Sequence, residues 1–131
     1  MTKLTKFTDI AQDTPRLVIM FRQDGNEERF QWGIVGKVPV LTLVGCIARI
    51  QTELPLIEPG DARHDCPESA LVVAWDENSP KFVWFVNPII PVDSLVGMME
   101  MVKATLVDTH IARQVAAQQL ILGPDGQPAR R

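Results

Sequence analysis

The chain carries one apolar pattern twice, and this repeat constrains the fold more than any other feature of the sequence. When Leu17 is aligned with Leu71, the segment Leu-Val-Ile-Met-Phe lies opposite Leu-Val-Val-Ala-Trp. Residues 29–54 and 81–106 then share eight identities in twenty-six positions, including a Pro-Val-x-x-Leu-Val-Gly segment in each. The sequence therefore predicts two units of the same design, at about residues 16–54 and 70–107.

Each unit has the pattern of two strands followed by a helix. Residues 16–22 are rich in β-branched and aromatic side chains, and Gly25 in the polar segment that follows can supply the positive φ of a hairpin loop. In the second unit residues 76–80 take the place of this loop, and residues 81–87 form the return strand. Apolar residues then recur at offsets of four, three and four, which is typical of one face of a helix: Leu43, Ile47, Ile50 and Leu54, and Leu95, Met99, Val102 and Leu106.

These patterns predict a single α+β domain over residues 1–122. A single ββα unit cannot bury the apolar face of its helix. We therefore expect a tandem duplication that forms a four-stranded, mainly antiparallel sheet with two helices on one face. Pro55 ends the first helix, whereas the second continues past Leu106 as a C-terminal helical extension. Gly123-Pro124 stops this extension, and residues 123–131 are predicted to be a flexible tail.

Composition restricts the class of protein. Hydrophobic residues make up 46% of the 131 residues and charged residues 22%, as in an ordinary globular domain. The net charge of −3 disfavours a nucleic-acid partner, and neither a secretory signal nor a membrane-spanning run is apparent. Cys46 and Cys66 lie in unrelated contexts and are expected to be reduced thiols, which predicts a cytoplasmic location.

No motif for catalysis or for a cofactor accompanies the repeat. His64, Asp65, Cys66 and Glu68 are possible metal ligands, with Asp61 nearby, but the paired spacing of a zinc site is missing. The serines have no histidine at a motif spacing, and acidic neighbours would raise the pKa of the Cys66 thiol. The sequence therefore predicts a protein that is not an enzyme, with no catalytic residue, no metal and no cofactor.

Strand alternation assigns side chains to two faces of the sheet. One face carries Phe30, Trp32 and Ile34 in the first unit and Phe82, Trp84 and Val86 in the second, which predicts the core beneath the helices. The opposite face is not polar, although an antiparallel sheet with a solvent-facing side normally alternates. We therefore expect this second face to be covered. The chain's own C-terminal extension, a second copy, a different protein and a small apolar ligand are the candidates.

The apolar excess motivates two hypotheses about function. The first is a non-enzymatic protein-interaction or assembly module that is homodimeric and has no nucleic-acid or membrane partner. Its expected contact surface is the second sheet face or the C-terminal helix, with the candidate residues Val18, Met20, Val35, Val72, Val83, Phe85, Ile111 and Val115. The alternative is a small-molecule sensor or carrier with an apolar cleft between the two halves, lined by Trp32 or Trp84.

The two predicted helices carry a glycine at the same position of the repeat, Gly45 and Gly97. Glycine inside a helix costs about 1 kcal/mol relative to alanine, so its presence needs a reason. We expect the missing side chains to allow close approach of each helix backbone to the sheet or to the other helix.

Overall fold

The structure is a computed structural model and describes residues 4–76 and 81–122. Within these described residues there are four strands, β1 (Arg16–Asp24), β2 (Glu27–Val35), β3 (Ala70–Trp75) and β4 (Phe82–Val86). Two α-helices follow the hairpins, α1 (Val40–Glu53) and α2 (Val92–Leu122). Most of the loop predicted over residues 76–80 and all of the tail at residues 123–131 lie outside the described residues.

The four strands form one antiparallel sheet in the order β2-β1-β3-β4. The predicted α+β class with a four-stranded antiparallel sheet is therefore confirmed. Gly25 has a φ of 62° in the tight turn between β1 and β2, as the hairpin prediction required. β1 and β3 are central, so the two edges of the sheet are the return strands β2 and β4.

The register places apolar side chains in rows across one face of the sheet. Leu17 of β1 pairs with Val73 of β3, which pairs in turn with Trp84 of β4. These residues belong to one buried cluster that also contains all eight residues of the two predicted helix stripes. Fully burying a side chain of this size contributes about 1.5–3 kcal/mol, so this cluster supplies most of the driving force for folding.

The two helices contact each other as well as the sheet. The Gln51 side chain of α1 donates hydrogen bonds to the Val96 carbonyl of α2, at 3.2 Å, and to Glu100 Oε1, at 3.0 Å. α1 ends at Glu53, where Pro55 lies in a short 3₁₀ turn (Leu54–Leu56). α2 has no such stop and continues to Leu122.

The prediction for the helical glycines is wrong. A Cβ added at Gly45 or at Gly97 would meet nothing within 4 Å, so neither helix backbone lies close to the sheet or to the other helix there. Close approach occurs instead at Gly36, where an added Cβ would lie 3.1 Å from the Pro15 Cα and the backbone has a φ of 81°. The close approach that requires a glycine is thus in the connection from β2 to α1.

Within residues 4–76 and 81–122, no helix is both long enough and apolar enough to cross a membrane.

Candidate functional site

The second face of the sheet is covered in part by the chain's own N-terminal segment. Cys66, Ala70, Val72 and Phe85 form a second buried cluster. Phe7 and Ile10 pack on this cluster, and the Phe7 ring meets the Phe85 ring edge-on with centroids 6.0 Å apart. This source of cover was not among the candidates that the strand pattern suggested.

Asp9 holds the N-terminal segment in a 3₁₀ turn, Phe7–Asp9. Its Oδ2 accepts hydrogen bonds from the backbone N–H groups of Thr5, at 3.0 Å, and Lys6, at 2.9 Å, and from the Thr5 hydroxyl, at 3.0 Å. The backbone N–H groups of Thr5 and Lys6, followed by the Thr5 hydroxyl, lower the pKa of Asp9, because a carboxylate accepts such bonds better than a carboxylic acid does. An ionised Asp9 therefore favours the conformation that places Phe7 on the sheet.

Arg16 fixes the other end of the same segment. Its guanidinium donates to the backbone carbonyls of Ala11, at 3.2 Å, Gln12, at 3.2 Å, and Thr14, at 2.9 Å. The sequence signal for this cover is the spacing of Leu4, Phe7 and Ile10, which is compatible with a short helix or an edge strand and does not indicate what the segment packs against.

The candidate contact residues on the sheet divide into covered and exposed sets. Val72 and Phe85 are buried within the chain, and Val18 and Val83 are partly buried around them. Met20 and Val35, over β1 and β2, remain 53% and 37% exposed. Among the described residues of the second face, the half with Met20 and Val35 is therefore the exposed one.

The second half of α2 extends beyond Leu106, which is the last buried residue among the helix side chains described up to residue 118. All side chains from 111 to 118 are exposed, including the apolar candidates Ile111, 51% exposed, and Val115, 46% exposed. By helical periodicity these two share one side of α2 with Ala104 and Met101, opposite the stripe that faces the sheet. We call Met101, Ala104, Ile111 and Val115 the outer face of α2.

Two grooves lie at the two edges of the sheet, and each contains one of the repeated tryptophans. The β4 groove, with a volume of about 500 Å³, is lined by Arg49, Glu53, Arg63, Phe82, Trp84 and neighbouring residues. The Arg63 guanidinium lies over the Trp84 ring at 5.1 Å from its centroid, and Arg49 lies over Phe82 at 5.7 Å.

Carboxylates hold the two arginines of the β4 groove in place. Arg63 binds both carboxylate oxygens of Asp61, at 3.0 and 2.9 Å, and Glu53 Oε2, at 3.3 Å. Arg49 pairs with Glu53 at 2.8 Å. The hydrogen bonds from Arg63 hold the pKa of Asp61 well below its usual range. The β4 groove is thus occupied by ion pairs of the chain itself.

The β2 groove is the counterpart at the other edge, with a volume of about 670 Å³. Trp32 and Ile34 of β2, Leu43 of α1 and Leu106 of α2 provide apolar walls, and Lys37 and Arg113 are its cations. Among the described residues neither cation has an ion-pair partner, and no guanidinium or ammonium group lies over Trp32. This groove is therefore open and carries positive charge.

Two of the linker residues that could bind a metal, Asp61 and Cys66, have other contacts. Asp61 pairs with Arg63, and the Cys66 thiol donates to the Glu68 carbonyl at 3.4 Å. Burial raises the pKa of both Cys46 and Cys66, so neither thiol is activated as a nucleophile. In the part of the chain that the structure describes, no group of three or more His, Cys, Asp or Glu residues could hold a metal ion.

Comparison with protein-family models, with curated proteins and with solved structures finds no match.

Proposed function

We propose that the protein is a non-enzymatic interaction module that forms a homodimer through the outer face of α2. The observation that carries this proposal is that α2 continues for several turns beyond Leu106 and that all of its side chains from 111 to 118 are exposed within the chain. Isolated helices shorter than about 12–15 residues are marginally stable in water, because tertiary packing supplies most helical stability. A packing partner would stabilise this half of the helix.

The residue pattern favours a second copy as that partner. If two α2 helices pack antiparallel about an axis at Ile111, Val115 of one copy lies opposite Val107 of the other, a partly buried residue that borders the outer face one turn before Ile111. Such an isologous contact buries the same patch on both subunits. Between residues 104 and 118 the charged side chains are Asp108 and Arg113, which are opposite in sign, so two copies bring no net like charge together.

The proposal also includes the duplicated architecture. We infer two ββα units related by a pseudo-two-fold axis between β1 and β3, with both helices on one face of the sheet. The strand order β2-β1-β3-β4 supports this, because equivalent strands then occupy equivalent positions, central or edge. The shared cluster of helix stripes and sheet residues supports it as well. Free, buried Cys46 and Cys66 support the cytoplasmic location that forms part of the proposal.

The test is the molar mass of the protein in solution. We expect a dimer by light scattering at micromolar concentration, and a monomer for the double variant Ile111→Glu/Val115→Glu, because charges in an apolar interface oppose burial. The matched control is Met20→Glu/Val35→Glu, which places the same charges on the exposed part of the sheet face and should leave the dimer intact. A monomeric wild-type protein would refute the homodimer, and dissociation of the control alone would refute the helix interface.

A further inference from the structure

We propose that the β2 groove binds a small amphipathic carboxylate, with its apolar chain on Trp32 and its carboxylate on Lys37 and Arg113. The alternative function expected from the sequence is a small-molecule sensor or carrier with an apolar cleft between the two halves. The β2 groove would be that cleft, and the carboxylate specifies the class of ligand. This site does not depend on the dimer, because Arg113 lies two helical turns past Leu106 on the side of α2 opposite Ile111.

The walls of the groove suit an apolar chain. Trp32 and Ile34 come from the first unit and Leu106 from the second, so the groove lies between the two halves. Leu43 and Leu106 are otherwise buried and Trp32 is partly buried. A volume of about 670 Å³ is within the range of small-molecule pockets, which are mostly apolar with a few polar groups that fix orientation.

The positive charge of the β2 groove favours a ligand with a negative charge. Lys37 and Arg113 both line it, and no aspartate or glutamate is among its lining residues, although the chain as a whole has a net charge of −3. A guanidinium can bind a carboxylate with two parallel hydrogen bonds, and a lysine ammonium adds a second positive charge. The groove is therefore complementary to an anionic headgroup beside an apolar body.

Comparison with the β4 groove shows why this one is available. At β4 the chain places its own Arg63 on Trp84 and neutralises the cations with Glu53 and Asp61. At β2 the equivalent tryptophan has no such cover, because the second unit continues as helix where the first unit turns at Pro55 into the linker that carries Arg63. The departure from the repeat thus leaves the Trp32 groove open.

The experiment is a calorimetric titration of the full chain with sodium decanoate below its micelle concentration. We expect saturable binding of one decanoate per chain, and binding weaker by about tenfold or more for decanol, which keeps the chain but lacks the charge. Lys37→Gln/Arg113→Gln should lower decanoate affinity by a similar factor. Arg49→Gln removes a cation from the β4 groove and is the matched control, expected to bind decanoate as the wild type does.

Three results would overturn the proposal. The first is the absence of saturable decanoate binding, and the second is an affinity for decanol equal to that for decanoate. The third is a loss of decanoate affinity in Arg49→Gln as large as that in Lys37→Gln/Arg113→Gln. Lys37 and Arg113 are exposed, so circular dichroism should show a folded double variant, and Trp32→Leu gives an independent loss of affinity through the apolar wall. The variant Ile111→Glu/Val115→Glu should still bind decanoate, which separates failure of the groove from failure of the dimer.

Discussion

At the scale of single residues, the repeated tryptophans Trp32 and Trp84 show how equivalent positions acquire different roles. Trp84 is buried beneath Arg63, whereas Trp32 is partly exposed in a groove with two cations. Both lie on the side of the sheet that alternation assigned to the core. The alternation of side chains along each strand was sufficient to predict which face of the sheet carries these two rings. What lies beside each ring depends on residues far away in sequence.

Asp61 should make stability depend on pH. Because Arg63 lowers its pKa in the folded state, the ionised form contributes stability that is fully present above the usual pKa near 3.8 and is lost as the pH falls below it. We expect Asp61→Asn to be less stable than the wild type in urea denaturation near neutral pH, and the difference to shrink below about pH 3. The control is Asp65→Asn, since no salt bridge in the described part of the chain involves Asp65. A difference that does not change with pH would contradict this role.

Gly45 should be replaceable with a gain in stability. An alanine there meets open space inside a regular helix, so Gly45→Ala should raise the free energy of unfolding by up to about 1 kcal/mol. Gly36→Ala should lower it, because the added Cβ meets Pro15 and the backbone is left-handed. Chemical denaturation of both variants measures the contrast. Destabilisation by Gly45→Ala would mean that an intermolecular contact requires the glycine.

At the scale of elements, the N-terminal segment acts as a cover for half of the second sheet face. It has little regular structure, since the short turn at Phe7–Asp9 is its one helical element within residues 4–15. Its position depends on side-chain contacts to Phe85 and on the hydrogen bonds of Asp9 and Arg16. Such a segment can stabilise a sheet face without adding a strand.

Removing the contact between the Phe7 and Phe85 rings should expose part of the second face of the sheet. We expect Phe7→Ala to lower the free energy of unfolding by about 1–2 kcal/mol, because it removes partly buried apolar area and an edge-on ring pair. It should also increase binding of a dye that reports exposed apolar surface. Thr8→Ala, at an exposed position of the same turn, is the control and should change neither quantity. Unchanged dye binding in Phe7→Ala would show that the segment does not protect the sheet.

At the scale of the whole molecule, the compact part ends near Leu106 while α2 continues. The proposed dimer would turn this extension into a packed element, and the proposed ligand site uses its other side through Thr109 and Arg113. Both roles use a part of α2 that has no counterpart in the first copy of the sequence repeat. The asymmetry of the repeat, rather than the repeat itself, therefore carries the proposed functions.

The extension should become more protected as the protein associates. If α2 pairs with a second copy, amide hydrogen exchange over residues 110–118 should slow as protein concentration rises through the dissociation constant, because opening then requires loss of the partner. Exchange within β1 should change little, since its strand neighbours belong to the same chain. Equal exchange over residues 110–118 at all concentrations would contradict the interface.

The sequence alone was sufficient for features with a local cause. The stripes that begin at Leu43 and Leu95 are buried as their periodicity predicts, and the Gly25 turn has the predicted positive φ. The interpretation of Gly45 and Gly97 was wrong, because a repeated glycine identifies an equivalent position but not its neighbours. The N-terminal cover was missed because Phe7 reaches a partner almost eighty residues away in sequence, a separation that no local pattern encodes.

By itself, the sequence determined the strands, the helices and the side of each that is apolar, since these depend on spacing along the backbone. The tertiary structure decided the order β2-β1-β3-β4, the cover over Phe85, and the difference between a groove occupied by Arg63 and a groove left open beside Trp32. The physical reason is that each of these depends on contacts between distant segments. Burial and charge pairing select such contacts among alternatives that the local sequence permits equally.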